Sequence, residues 1–124
     1  MKKVATQFKN NTIAVDFDGV IHQYSKGFQG LENVYDPPMP GAVESLQKLK
    51  DMGYRLIIVS SRTVEPILNW LDKYNLGHFF DDVTNIKHPA KYYIDDHGLR
   101  FEKKLSNAWE NVIEFIEKEE NNNE

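Results

Sequence analysis

The stretch Ile13-Ala14-Val15-Asp16-Phe17-Asp18-Gly19-Val20 decides how this chain is read. Three apolar residues make a run suited to a buried strand, expected over 12–17, and two carboxylates one residue apart stand at its exit. That placement is unfavourable, because like charges about 4 Å apart repel by roughly 4 kcal/mol at an effective dielectric near 20. A fold that keeps such a pair gives it a cation or a proton-transfer task. Gly19 supplies the backbone freedom for a sharp turn at the strand's end. A second apolar run, Tyr92-Tyr93-Ile94, leads into a second acidic pair, Asp95-Asp96. Two acidic strand ends in one small chain point to one shared site.

Outward from this stretch the chain alternates strands and helices. Leu56-Ile57-Ile58-Val59 is continuously apolar, as a strand over 54–59 covered on both faces should be. Val43, Leu46 and Leu49 recur at helical spacing, with Pro40 suited to the first turn and Gly53 to the end. Thr63 can cap the next helix, with Pro66 in its first turn and Ile67, Leu68, Leu71 and Tyr74 on its buried face. Short strands are expected at 83–85, 91–95 and 99–101. Ser106 can cap a last helix whose stripe is Trp109, Val112, Ile113 and Ile116. Residues 19–38 form a long loop carrying glycines and aromatics, and so long a loop in a compact domain is usually functional or mobile. The pattern predicts an α/β, Rossmann-like three-layer sandwich with a mainly parallel sheet of about five strands and right-handed crossovers. In such sheets ligands bind at the carboxyl ends of strands. Asp16, Ser60 and Asp95 all fall there.

The chain has 124 residues, which predicts a single domain, 1–124, able to bury a core without staples. The core is expected over 12–118. Residues 1–10 are expected to fray, and the charged, Asn-rich residues 119–124 to be a disordered tail. The sequence has no cysteine, which excludes thiol redox chemistry and thiolate zinc sites and fits a reducing cytoplasm. The net charge of −4 argues against a nucleic-acid backbone as a tight non-specific ligand. Met1-Lys2-Lys3 is not followed by the apolar region of a signal peptide, and no run is long enough to span a bilayer. The expectation is a soluble cytoplasmic protein with no membrane partner.

Four motifs together resemble the haloacid dehalogenase-like superfamily, most of whose members are magnesium-dependent phosphatases. Its first motif, Asp-x-Asp-Gly-Thr/Val after an apolar strand, is matched by Asp16-Phe17-Asp18-Gly19-Val20. Its second, a Ser or Thr closing the next strand, is matched by Ser60 in Val59-Ser60-Ser61-Arg62. Its third, a Lys often followed by Pro, resembles Lys87 in Ile86-Lys87-His88-Pro89, with one residue inserted. Its fourth, an acidic pair after the fourth strand, is matched by Asp95-Asp96. The likeness covers about residues 12 to 101. Gly19-Val20-Ile21-His22, Asp36-Pro37-Pro38 and Tyr93-Ile94-Asp95-Asp96 further resemble a group of small members from bacteria and phages. The gaps between motifs leave no room for a cap domain, so the resemblance is to capless members. Those act on large substrates or have the site closed by another subunit, which leaves a homo-oligomer open.

The resemblance implies roles for individual residues. Asp16 is the candidate nucleophile, forming an aspartyl-phosphate. Asp18 is the candidate general acid, protonating the leaving oxygen and later activating water. Ser60 donates a hydrogen bond to a phosphoryl oxygen, with Ser61 an adjacent competitor. Lys87 pairs with the phosphoryl group, with Lys91 as its rival. Mg²⁺ is expected on the Asp16 carboxylate, the Asp18 backbone carbonyl and Asp95, with Asp96 behind it, and the two acidic roles are exchangeable. Gly19, Ser61, Arg62 and His22 are candidates for contact with substrate, although Arg62 reads equally well as a surface arginine. His22, His88 and His97 also read as loop histidines without a catalytic task. Tyr24, Phe28 and Tyr35 either stack on a base or sugar or pack the long loop.

The expected function is therefore Mg²⁺-dependent hydrolysis of a phosphomonoester, either a small nucleotide or sugar phosphate or a larger phosphorylated substrate. Alternatives on the same site are a phosphotransferase or a pyrophosphate-cleaving hydrolase. Non-catalytic alternatives are a phosphate-binding module or a receiver-like domain. A receiver expects its acceptor Asp after the third strand, where Val83-Thr84-Asn85 has none.

Overall fold

The computed structural model describes residues 11–86, 89–95, 99–100 and 107–122. Five strands, β1 (Thr12–Val15), β2 (Arg55–Val59), β3 (Phe80–Thr84), β4 (Tyr92–Asp95) and β5 (Leu99–Arg100), form one sheet in the order β3-β2-β1-β4-β5. Every pairing is parallel. Among the described residues three α-helices connect or follow them: α1 (Ala42–Asp51), α2 (Val64–Lys73) and α3 (Ala108–Asn122). This is the α/β architecture the alternation predicts. Among the described residues no further strand or helix is inserted between β1 and α1 or between β2 and α2.

β1 occupies the centre of the sheet, and Ile13, Ala14 and Val15 are buried. Leu56, Ile57 and Ile58 of β2 are fully buried, as a strand covered on both faces must be. Ile13, Val15, Leu56, Ile58 and Ile94 join one apolar cluster with Leu46 and Leu49 of α1, Ile67 and Leu71 of α2, and Trp109, Val112 and Ile116 of α3. α1 packs on α3, and α2 lies against β3.

Several boundaries differ from expectation for local reasons. β1 stops at Val15, because Phe17 already belongs to the turn that follows. α1 begins at Ala42 behind Gly41, whose φ of 84° is left-handed, so Pro40 lies outside the helix. Val43 and Leu68 are exposed, while Ser45 and Trp70 take buried positions. β3 starts at Phe80 rather than 83, because at the sheet's edge Asp81 can face outward and pair with Arg55 (Nε to Oδ2 3.1 Å). α3 continues through residues 119–122, which were expected to be a disordered tail. The reason is Glu120, whose carboxylate accepts from the Tyr54 and Tyr92 hydroxyls and pairs with Lys91 Nζ at 2.8 Å. Ser106, expected to cap this helix, lies outside the described residues.

Candidate active site

The turn after β1 is built on one carbonyl. Phe17 O accepts the N–H groups of Val20 (3.2 Å), Ile21 (3.0 Å) and His22 (3.0 Å). Gly19, at φ 83°, donates its own N–H to His22 O at 2.8 Å. That conformation is open to glycine at little cost. The amide of Gly19, a candidate substrate contact from its place in the motif, thus closes the turn. Tight closure drives Val20 and Ile21 into the core and leaves Asp16 and Asp18 at the carboxyl end of β1. Trp109 of α3 fastens the turn, its Nε1–H donating to Val20 O at 3.0 Å.

A cleft of about 300 Å³ opens at the carboxyl ends of β1 to β4, lined by Asp16, Ser60, Ser61, Asn85, Tyr93 and Asp95 among others. Asp16 continues the β1–β4 ladder, its N–H donating to Ile94 O at 3.0 Å. Val15 pairs with Ile94, so Asp16 and Asp95 stand one step further along neighbouring strands. Alternation puts Ala14, Asp16, Tyr93 and Asp95 on one face of the sheet and Val15 and Ile94 on the other. One oxygen of Asp16 accepts the Phe17 N–H at 2.8 Å, which fixes the carboxylate's rotation. Ser60, nearly buried, has its backbone held by Thr84 O and accepts the Arg62 N–H on Oγ at 3.2 Å. Ser61 is exposed and lines the same cleft.

Asp18 is held beside this cleft, not among its lining residues. Arg62 Nε donates to its Oδ2 at 2.8 Å and Oδ1 at 3.1 Å, and His22 Nδ1 meets Oδ1 at 2.8 Å. Burial pushes the Asp18 carboxyl up, but the hydrogen bonds from His22 and Arg62 and the Arg62 charge outweigh it and bring it below the ordinary range. Asp18 therefore rests as a carboxylate. Arg62, read equally as a substrate contact or a surface residue, is 3 % exposed and lies inside the protein. Its Nη1 donates to the carbonyls of Gly30 and Leu31, and its Nη2 has no hydrogen-bond partner among the described residues. His22, expected near substrate, is fully buried.

The long loop is packed onto this group. Trp70 of α2 donates to Asp36 O at 2.7 Å, and Tyr35 OH donates to Gly27 O. Tyr24, at the left-handed φ of 56°, sets its ring 6.0 Å from the Arg62 guanidinium. Tyr24 and Tyr35 thus pack the loop, whereas Phe28 is 63 % exposed.

Lys87, Asp96, His88 and His97 lie outside the described residues. Lys91, the rival to Lys87, stands at the amino end of β4, where its N–H donates to Thr12 O and its Nζ pairs with Glu120. Asp95, at the other end of β4, lies four residues on, about 13 Å at ~3.3 Å each. Asn85 and Tyr93 line the cleft but were not singled out in the sequence. Tyr93 was legible in principle, two residues before Asp95 and so on the same strand face.

A family model for haloacid dehalogenase-like hydrolases matches residues 22–104. The match takes in Ser60, Arg62, Lys87 and Asp95 and begins beyond Asp16 and Asp18. A solved structure of a conserved protein from Bacteroides thetaiotaomicron is similar, with a TM-score of 0.60 and 26% identity over 90% of this chain and 93% of that one. A structural-genomics target from Vibrio cholerae has the same fold, with a TM-score of 0.54 and 21% identity over 88% of this chain and 98% of that one. No match is found among curated proteins. No helix among the described residues is long and apolar enough to cross a membrane.

Proposed function

The chain belongs to the haloacid dehalogenase-like hydrolase family, and from that premise we propose that it is a Mg²⁺-dependent phosphatase acting on a phosphomonoester through a phospho-Asp16 intermediate. The observation that carries this reading is the placing of Asp16, Asp95 and Ser60 around one cleft at the carboxyl ends of adjacent strands.

In the first step a carboxylate oxygen of Asp16 attacks phosphorus and the bond to the leaving oxygen breaks, its electron pair passing to that oxygen with a proton from Asp18. In the second step water attacks phosphorus, its proton returns to Asp18, and inorganic phosphate leaves with the Asp16 carboxylate restored. Asp18 as found, ionised between Arg62 and His22, is in the form needed for the second step. The first step requires the Arg62 pair to loosen so that Asp18 can carry a proton. Ser60, at the end of β2, would donate to a phosphoryl oxygen, and Lys87 would balance its charge.

The donor set fits magnesium. Asp16 and Asp95 bring carboxylates from neighbouring strands to one cleft, and with the Asp18 carbonyl the set is all oxygen, as this hard cation prefers. Bound there, the ion would offset the negative charge of the phosphoryl oxygens facing a carboxylate nucleophile. Positioning and electrostatic stabilisation do most of the work in such transfers.

The test is phosphate release from a panel of nucleotide, sugar and aryl phosphates, with Mg²⁺ and with EDTA, by wild type and Asp16→Asn. Release that needs the metal and disappears in the variant supports the reading. Near-full turnover by Asp16→Asn would sink it.

A further inference from the structure

His22 is fully buried, and both ring nitrogens are engaged. Asp36 donates its backbone N–H to Nε2 at 3.0 Å, so Nε2 carries the lone pair. In the neutral ring the hydrogen is then on Nδ1, which faces Asp18 Oδ1 at 2.8 Å. The ring cannot turn away. Phe17 stacks on it at 5.5 Å between centroids, and the rings of Tyr35 (5.1 Å), Tyr24 (5.8 Å) and Trp70 (5.9 Å) enclose it edge-on. A phenyl ring would fill that aromatic box without the cost of burying two polar nitrogens. The imidazole is explained by what its nitrogens reach, and its single N–H reaches Asp18.

We infer that His22 is a positioning residue for the reaction, fixing the orientation of the Asp18 carboxylate through Nδ1–H while Asp36 N–H fixes the tautomer; the inference rests on the phosphatase reading above. His22 touches neither substrate nor metal. Its bond to Oδ1 does not depend on the Arg62 Nε contacts to Oδ2 and Oδ1, so the aspartate stays aimed when Arg62 lets go.

The experiment uses the full chain with p-nitrophenyl phosphate and Mg²⁺, and compares wild type, His22→Phe, His22→Asn, Asp18→Asn and the double variant His22→Phe/Asp18→Asn. p-Nitrophenolate leaves without a proton, so in Asp18→Asn the first step survives and is read as a p-nitrophenolate burst, while the second step, which uses Asp18 as base, is impaired. His22→Phe is expected to lower kcat about ten- to a hundredfold, the scale of a misaligned catalytic group, with KM within about threefold. His22→Asn, whose side-chain amide can stand where Nδ1 stood, should recover much of the loss. In the Asp18→Asn background His22→Phe should cost nothing further. Wild-type kcat in His22→Phe, or an equal loss in both backgrounds, would overturn the inference. Should His22→Phe fail to fold, ¹⁵N NMR of the wild-type imidazole decides: hydrogen on Nδ1 with a resonance moved by Asp18→Asn is expected, and hydrogen on Nε2 would overturn it. Wild type inactive on every phosphomonoester would overturn the phosphatase reading itself and, with it, the role of His22 in catalysis.

Discussion

Arg62 and Asp18, 44 residues apart in the chain, form an ion pair in which one guanidinium nitrogen, Nε, serves both carboxylate oxygens. The same guanidinium holds the carbonyls of Gly30 and Leu31 through Nη1. One side chain from the β2–α2 turn thus joins the motif after β1 to the middle of the long loop. Arg62→Met should destabilise the fold by about 2 kcal/mol in urea denaturation at pH 7, less than the ~3–5 kcal/mol of a fully buried pair because Asp18 keeps some contact with water. Arg62→Lys should recover little of this, since an ammonium cannot span the carboxylate and two carbonyls at once. The pH dependence follows from the lowered Asp18 carboxyl. The pair stabilises above the ordinary carboxyl value of 3.8 and is lost as pH falls through the folded value, so the variant and wild type should converge in acid.

The two tryptophans make separable tethers. Trp109 Nε1 holds Val20 O in the turn, and Trp70 Nε1 holds Asp36 O at the far end of the loop. Replacing either with Phe keeps most of the apolar volume and leaves a carbonyl without its donor, a loss of about 1–3 kcal/mol. Hydrogen exchange should distinguish them: Trp109→Phe is expected to speed exchange at Gly19–His22, and Trp70→Phe at residues around Asp36. Equal protection in the variants and wild type would show that the tethers do not hold the loop.

Asp95 tests the metal reading without removing the proposed nucleophile, Asp16. It stands one step beyond the Val15–Ile94 pair and lines the cleft with Asp16. Asp95→Asn removes one negative charge from an oxygen donor set, so the Mg²⁺ concentration for half-maximal phosphate release should rise about tenfold or more. An unchanged Mg²⁺ dependence would take Asp95 out of the metal site.

How far the sequence could be read follows from the range of the forces involved. Ile13-Ala14-Val15 and Leu56-Ile57-Ile58 carry their burial in their own composition, so the parallel sheet was legible, and with it the strand ends that gather Asp16, Ser60 and Asp95. β3 was not legible at its start, because Asp81 and Asp82 read as a turn until an edge position gives them water and Arg55. The place of Arg62 was hidden too. Its partners are set by tertiary packing, and nothing near Ser60 says that a guanidinium will be drawn inside by Asp18 and two loop carbonyls. His22 was ambiguous for the same reason, since the N–H that fixes its tautomer belongs to Asp36, 14 residues away.

The end of α3 offers a prediction that needs no assumption about activity. Three groups converge on Glu120 Oε2: the hydroxyls of Tyr54 and Tyr92 and the ammonium of Lys91. They come from the amino ends of β2 and β4, so the helix closes the sheet at the end opposite the cleft. Burial first, then the hydrogen bond to Glu120 and its charge, push the Tyr92 hydroxyl up to about 12 and move Tyr54 upward as well. For Glu120 the hydrogen bond from Lys91 leads, and the carboxyl is lowered from its ordinary 4.5. The signs then differ at the two ends of the pH scale. The raised tyrosines stabilise fully below pH 10, their ordinary value, and that contribution is lost as pH rises through their folded values. The lowered Glu120 stabilises above pH 4.5 and is lost as pH falls through its folded value. Glu120→Gln should lower stability at pH 7 by about 1 kcal/mol, the scale of a partly exposed charge-assisted group, and should narrow both flanks of the stability–pH curve. Absorbance at 295 nm offers a direct check: in the variant, tyrosine ionisation that lay above the ordinary range in wild type should move down toward pH 10. A titration curve identical to wild type would mean that Glu120 does not hold the two hydroxyls, and that α3 is anchored by its apolar face and not by this carboxylate.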